Sequence, residues 1–272
     1  MLTYKEAIKN RKSVRNYEKK DIDKETIEKI KEIINTPTIG PFGNVPRFTF
    51  IEKKNACIEN KIKLGTYGSI SNARYFIGGC IEKFEYSEVD YGYSFENIII
   101  ELTKLGLGTC CIGGTLNRKD YEILLDIKPG EIIPCITPVG YVNNKKRFRE
   151  LFKSASSRKS PEMLFFENNS GCPLEFNKKH KYHQALEMLR LAPSSYNNQP
   201  WRVIKNDNKY HFYIKQDKNK PITKNIDIKK VDIGIALYHF KIATDELDLK
   251  GKWHINNPNI CEWDYIISWI VE

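Results

Sequence analysis

Residues 192–202 read A-P-S-S-Y-N-N-Q-P-W-R. Pro193 and Pro200 fix the backbone near both ends, and Ser194, Ser195, Asn197, Asn198 and Gln199 crowd hydroxyls and amides between them. Trp201 can anchor the exit strand in a core. Such a loop can address phosphate oxygens or the carbonyls and nitrogens of a planar ring, and the same composition also suits a structural loop that satisfies its own backbone. Upstream, Tyr182, Ala185, Leu186 and Leu189 have helical spacing and predict a helix ending near Ala192. Downstream, Val203, Ile204 and residues 211–214 flank the turn residues Asp207 and Asn208 as a hairpin.

The same order occurs earlier in the chain. Residues 27–50, IEKIKEIINTPTIGPFGNVPRFTF, give helix, Pro/Gly-rich loop with Asn, and aromatic strand, as residues 183–204, HQALEMLRLAPSSYNNQPWRVI, do again. A long apolar-striped helix follows each: Ser94 to Leu105, with Gly106 as its cap, and Lys230 to Leu247. Thr3 and Glu6 have capping-box spacing and predict an opening helix over Tyr4 to Asn10, and a second helix begins near Asp23. The segment GTCCIGG, residues 108–114, must be a tight connection to a helix over Arg118 to Leu125, then to one strand over residues 132–141 and a terminal strand at 266–271. The chain reads as α+β, and two similar halves packed face to face would reproduce within it what a homodimer makes from two chains.

Its 272 residues are 40% apolar, so a substantial core is available and a disordered or fibrous class is excluded. The 44 Lys and Arg against 34 Asp and Glu give a net charge of +10. That balance favours an anion without choosing among nucleic acid, anionic lipid and a phosphorylated cofactor. The N-terminal residues lack the apolar run of a signal peptide, and no stretch approaches the ~18 apolar residues that cross a bilayer. The expectation is a cytoplasmic protein with no membrane partner. Seven scattered cysteines, without C-x2-C spacing, read as free thiols, and Cys110 and Cys111 as small buried side chains. No metal cluster stands out among the five histidines; His180 and His183 read as a polar helix face.

Two basic segments remain. Arg11, Lys12, Ser13 and Arg15 form R-K-S-x-R after the opening helix, where a tight turn or a continued helix could bring Arg11 and Arg15 to one ligand. Lys145, Lys146, Arg147 and Arg149, then Arg158 and Lys159, form a second cluster in a polar connector. Each is also what a solvated charged segment looks like.

Taken together, R-K-S-V-R-N-Y at 11–17, G-L-G-T-C-C-I-G-G at 106–114, P-V-G-Y at 138–141 and A-P-S-S-Y-N-N-Q-P-W at 192–201 resemble the nitroreductase family of flavin-dependent oxidoreductases. The resemblance is to the branch in which two halves are fused into an intramolecular version of the usual dimer. It implies two interlocked halves, residues 1–160 and 161–272, each a small antiparallel sheet surrounded by helices, in a pseudo-dimer that could stand as a monomer. It implies FMN as cofactor, with Arg11, Ser13 and Arg15, and Lys12 between them, at the phosphate, and Arg158 and Lys159 closing that end. Pro193, Ser194, Ser195, Asn197 and Gln199 would line the flavin, and Gly113 and Gly114 would let backbone approach it. Cys111 departs from the family, which often has an aromatic or other hydrophobic residue there. The first-half loop lacks the S-S-x-N-x-Q-P-W pattern and the second half lacks R-x-S-x-R, which predicts one good site and a second position decayed or filled by side chains. The implied chemistry passes electrons from NAD(P)H to a nitroaromatic, quinone or related conjugated acceptor by a ping-pong mechanism. Hydride transfer then falls to the flavin N5, with no catalytic side chain and no metal. The competing readings are a flavin-binding or flavin-processing protein without turnover and, more distantly, a basic nucleic-acid-binding protein, for which no recognised module is present.

Overall fold

The computed structural model describes residues 2–59, 70–114, 116–143, 158–216, 226–256 and 258–272. The cluster Lys145, Lys146, Arg147 and Arg149 lies outside the described residues.

Local chemistry starts the chain as expected. Thr3 and Glu6 cap each other reciprocally at the head of α1 (Tyr4–Asn10), and the Asp23 carboxylate accepts from the Thr26 N–H at 2.9 Å at the head of α2 (Lys24–Asn35). The first half continues through β1 (Arg47–Glu52), α3 (Lys53–Glu59), β2 (Tyr75–Glu82), α4 (Ser87–Lys104), β3 (Gly108–Thr109), α5 (Arg118–Leu124), β4 (Glu131–Ile132) and β5 (Ile136–Gly140). Then come β6 (Phe165–Glu167), α6 (His183–Arg190), β7 (Trp201–Asn206), β8 (Lys209–Ile214), α7 (Ile228–Glu246), β9 (Gly251–His254) and β10 (Asp264–Val271).

The two sheets repeat one topology. The first runs β1-β2-β5-β3, with β4 also on β2; the second runs β7-β8-β10-β9, with β6 added parallel to the outer edge of β7. The matching continues into the helices α4 and α7, which pack against each other at two glycines. A Cβ on Gly92 would sit 2.2 Å from the Val231 carbonyl oxygen, and one on Gly234 would sit 2.0 Å from that of Val89. Only a missing side chain permits this approach. Beside them, Asp90 accepts from the N–H groups of Phe42 and Asn44, both at 2.9 Å, while Asp232 accepts from the Ser195 N–H at 3.0 Å. Each long helix therefore holds the loop that leads into the counterpart strand of its own half, β1 or β7. The helices also end alike: Leu107 N–H bonds the Leu102 carbonyl after Gly106 at φ 77°, and Leu249 N–H bonds that of Thr244 after Asp248 at φ 52°. This register pairs Cys111 with Trp253, whose indole packs among Phe212, Phe240 and Trp269. One apolar core runs through both halves, from Ala7, Val89 and Phe95 to Trp201, Phe240 and Trp269. The result is an α+β pseudo-dimer. No helix among the described residues is long and apolar enough to cross a membrane.

Three expectations need correction, and one strand, β2, has no counterpart in the sequence reading. Helix α4 begins at Ser87, a full two turns before Ser94, because Glu88 and Asp90 are buried rather than solvated and Gly92 is a packing contact rather than a breaker. The strand expected over 132–141 is split into β4 and β5 around Pro134, which has no N–H to donate. Strand β2 is buried along nearly its whole length and so has no alternation to read. His180 precedes α6, where its Nδ1 accepts from the Tyr182 N–H at 3.2 Å, so it shares no helix face with His183.

Candidate functional site

The segment after α1 is extended. Arg11 leaves the helix at φ −56°, ψ 128°; Ser13 pairs with Thr109, Val14 N–H bonds the Thr109 carbonyl at 2.7 Å, and Ser71 N–H bonds that of Arg15 at 2.8 Å. Extended backbone, rather than the tight turn or continued helix expected from the sequence, sets Arg11, Ser13 and Arg15 at every second position, with Val14 and Asn16 buried between and beyond them. Lys12 is exposed. The Cys110 thiol marks where the segment lies: burial pushes it up, while Arg15, Arg11 and Ser13 pull it down.

Arg11 is mostly buried, its side chain 9% exposed, and its Nε has no hydrogen-bond partner. Its facing carboxylate, Glu96 Oε1, is 3.9 Å away. Arg158 lies close by. Its guanidinium donates to Asn197 Oδ1 at 2.6 Å and to the Leu191 carbonyl at 2.9 Å, and it is held down to about 10, first by burial and then by the charges of Arg11 and Arg190. Arg190 is balanced by a two-pronged contact with Glu187, at 2.7 and 2.6 Å. Arg11 and Arg158 are thus a pair of cations that repel each other in a partly desolvated place, which is where an anion is attracted most strongly.

The loop at 193–199 closes the other side. Ser195 hangs from Asp232, whose carboxyl burial pushes up to about 8. Gln199 is tied on three sides: its N–H donates to Ser194 Oγ at 2.8 Å, its side-chain amide to Asn197 Oδ1 at 3.2 Å, and its Oε1 accepts from the Lys159 N–H at 2.8 Å. Lys159 Nζ donates to the Asn198 carbonyl at 2.6 Å. Tyr196, Asn197 and Gln199 all take positive φ, at 51°, 55° and 47°, a conformation that costs each of them about 1 kcal/mol or more and persists only because neighbouring bonds over-determine it. Below the loop, Trp201 is fully buried and Arg202 donates to the Gln199 carbonyl at 3.0 Å.

Between these sides runs the connection after β3. A Cβ on Gly113 would meet Ile228 of α7 at 2.9 Å, so its close approach is to protein, whereas a Cβ on Gly114 would meet open space. Cys111, expected to be buried, is exposed. Its thiol is nonetheless held well above the ordinary range, first by a hydrogen bond with Cys135, then by the protein packed round it and by Asp232 and Glu96. Accessibility together with crowding describes a recess between the halves. The structure therefore brings Arg11, Ser13, Arg15, Arg158, Lys159 and the loop of Ser194, Ser195, Asn197 and Gln199 to one region, with Pro193 at the loop's entry. Sequence reading missed Glu96, Asp232 and Arg190, whose significance depends on partners far along the chain. No group of three or more metal-ligating side chains occurs among the described residues.

Residues 3–244 match the family model described as "Putative TM nitroreductase". The chain belongs to this nitroreductase family. A crystal structure from Thermotoga maritima, described in the same terms as a nitroreductase, is 19% identical to this family member, with a TM-score of 0.62 over 99% of this chain and 94% of that one. The likeness shows a shared fold along the full length. A nitroreductase family protein from Clostridium novyi is 20% identical over 53% of this chain and 87% of its own, TM-score 0.44. An FMN-dependent nitroreductase from Clostridium difficile is 21% identical over 51% and 87%, TM-score 0.42. No curated protein matches this chain.

Proposed function

We propose that this nitroreductase-family chain is an FMN-dependent oxidoreductase that passes electrons from NAD(P)H to a nitroaromatic, quinone or related conjugated acceptor in a ping-pong sequence. The observation that carries the reading is the Arg11 Nε, buried without a hydrogen-bond partner beside a second cation, Arg158. A buried unpaired donor on a fixed positive charge is costly unless an anion completes it, and a phosphate supplies acceptor and charge together. The residues present fit FMN: Arg11, Ser13 and Arg15 would hold its phosphate with Arg158, and the Ser194–Gln199 loop would line its ring, opposite Gly114, where no side chain intrudes. When bound, FMN supplies reversible two-electron chemistry at its ring. The chain's part would be to neutralise the phosphate through Arg11, Arg15 and Arg158, to hold the ring through the Ser194–Gln199 loop, and to admit donor and acceptor in turn through the recess at Cys111. At the counterpart position Trp253 is packed among aromatic rings, which supports one site per chain.

The test is purification under mild conditions, an absorption spectrum, and anaerobic titration with NADH and NADPH. Bound flavin bleached by either nucleotide and reoxidised by a quinone or nitroaromatic is the expected result. Bound flavin that neither reduces would reject the enzyme in favour of a flavin carrier, and protein that binds no flavin would reject the cofactor.

A further inference from the structure

Behind Arg11 stands a buried pair that the proposed chemistry does not use. His239, on α7, is wholly buried, and Glu96, on α4, is 1% exposed. The His239 Nδ1 lies 3.0 Å from the Met188 carbonyl oxygen and its Nε2 lies 2.8 Å from Glu96 Oε1. A carbonyl only accepts, so Nδ1 carries a hydrogen. The Nε2 contact then needs one further hydrogen, on the ring or on the carboxyl. Either way the pair is neutral as a whole: imidazolium with carboxylate, or imidazole with carboxylic acid. The other groups that face it are Arg11 from the segment after α1 and Cys111 from the connection after β3, whose thiol feels the charge of Glu96; the Tyr238 hydroxyl is engaged with Asn97 Oδ1 at 2.6 Å.

We propose that Glu96 and His239 are a positioning pair that sets the charge Arg11 presents to an anion. This rests on Arg11 being a phosphate ligand. With His239 in place the carboxyl of Glu96 is balanced from behind, and the Arg11 charge 3.9 Å in front of it is left for the ligand. Without His239, Glu96 would balance itself on Arg11 and withdraw that charge. The pair joins α4 directly to α7, and His239 is held in turn by the Met188 carbonyl on α6, so the phosphate end of the site is tuned from the second half although its arginine comes from the first.

The experiment compares wild type with Glu96→Gln, His239→Gln and the double variant, titrated with FMN and with riboflavin by fluorescence quenching. The ratio of the riboflavin Kd to the FMN Kd reads the phosphate alone. His239→Gln is expected to lower that ratio by about tenfold with the riboflavin Kd within about twofold of wild type. Glu96→Gln, whose amide can still donate to Nε2, should keep the ratio or raise it, and the double variant should return to the wild-type ratio. Equal losses for both ligands in His239→Gln, a lowered ratio in Glu96→Gln, or a double variant no better than His239→Gln would each overturn the proposal; Glu96→Gln decides it alone should His239→Gln not fold. Protection against thermal unfolding by inorganic phosphate separates the two readings. A wild type protected by phosphate but indifferent to FMN would overturn the flavin reading, and the same ranking of variants in phosphate protection would still support the pair. Protection equal in all four proteins would overturn the pair.

Discussion

Gly92 and Gly234 are counterparts on the two long helices, each facing the backbone carbonyl one turn before the other, Val231 and Val89. A methyl group at either would stand 2.2 or 2.0 Å from a carbonyl oxygen, and since backbone cannot rotate aside, the helices must part. Gly234→Ala should destabilise by about 2–4 kcal/mol, as severe overpacking does. Gly92→Ala should cost a similar amount, and the double variant less than the sum, because helices already parted accept the second methyl. Chemical denaturation of the three variants gives these energies; additive effects would count against a shared contact.

Arg11 and Gln199 lie 188 positions apart in the chain, and each is tested by substitution with Ala. Both should weaken FMN retention, Arg11→Ala by about ten- to a hundredfold, because it removes a charge-assisted contact, and Gln199→Ala by less. Equilibrium dialysis of the apoprotein measures both. Unchanged affinity in the two would remove the composite site.

Two buried groups give the stability a distinctive pH profile. Asp232 is pushed from 3.8 up to about 8 by burial, so between those values the folded chain binds the extra proton and its stability falls as pH rises, with a slope of at most ~1.4 kcal/mol per pH unit. His211 is pushed from 6.5 down to about 4, again by burial, so between those values the unfolded chain binds the extra proton and stability rises with pH. The two oppose each other up to about 6.5, and above it the Asp232 slope stands alone. Denaturation from pH 5 to 8 should show a decline beginning near 6.5 that Asp232→Asn removes.

Tyr196 is 84% exposed and carries φ 51°. Its side chain contributes little to the fold while its backbone conformation costs energy, so Tyr196→Gly should leave stability unchanged or raise it by up to ~1 kcal/mol. Asn197→Gly relieves the same kind of strain but removes the 2.6 Å contact with Arg158 and should not gain. Melting temperatures of the pair distinguish strain from contact.

Cys111 is accessible, yet its thiol is held far from ionisation. Iodoacetamide should label it slowly at pH 8 compared with an ordinary exposed cysteine, since the thiolate is the nucleophile. Peptide mass spectrometry reads the rate, and rapid labelling would contradict the Cys135 contact.

What the sequence made legible was whatever is decided within a few residues. Thr3 and Glu6 place α1 to the residue, Asp23 places α2, and Asp207 with Asn208 places the β7–β8 hairpin, because caps and turns are local chemistry. The polar loop and the R-K-S-x-R segment stood out for the same reason. The first turns of α4 were not legible, because Glu88 and Asp90 look solvated until the partner that buries them is known. The extended course of residues 11–16 depends on Thr109 and Ser71, and the Glu96–His239 pair depends on two helices from different halves; no window of sequence contains either.

The correspondence of Cys111 with Trp253 carries a consequence for how such a molecule can change. In a symmetric assembly of identical chains every substitution is made twice, so a tryptophan that filled one ligand position would fill both and abolish binding. Here the two positions are encoded by separate codons. On the proposed reading one could be given over to the aromatic packing of Trp253, Phe240 and Trp269 while the other kept a small thiol beside open space, and mutation could refine the cationic end of one without disturbing the rings that would close its twin.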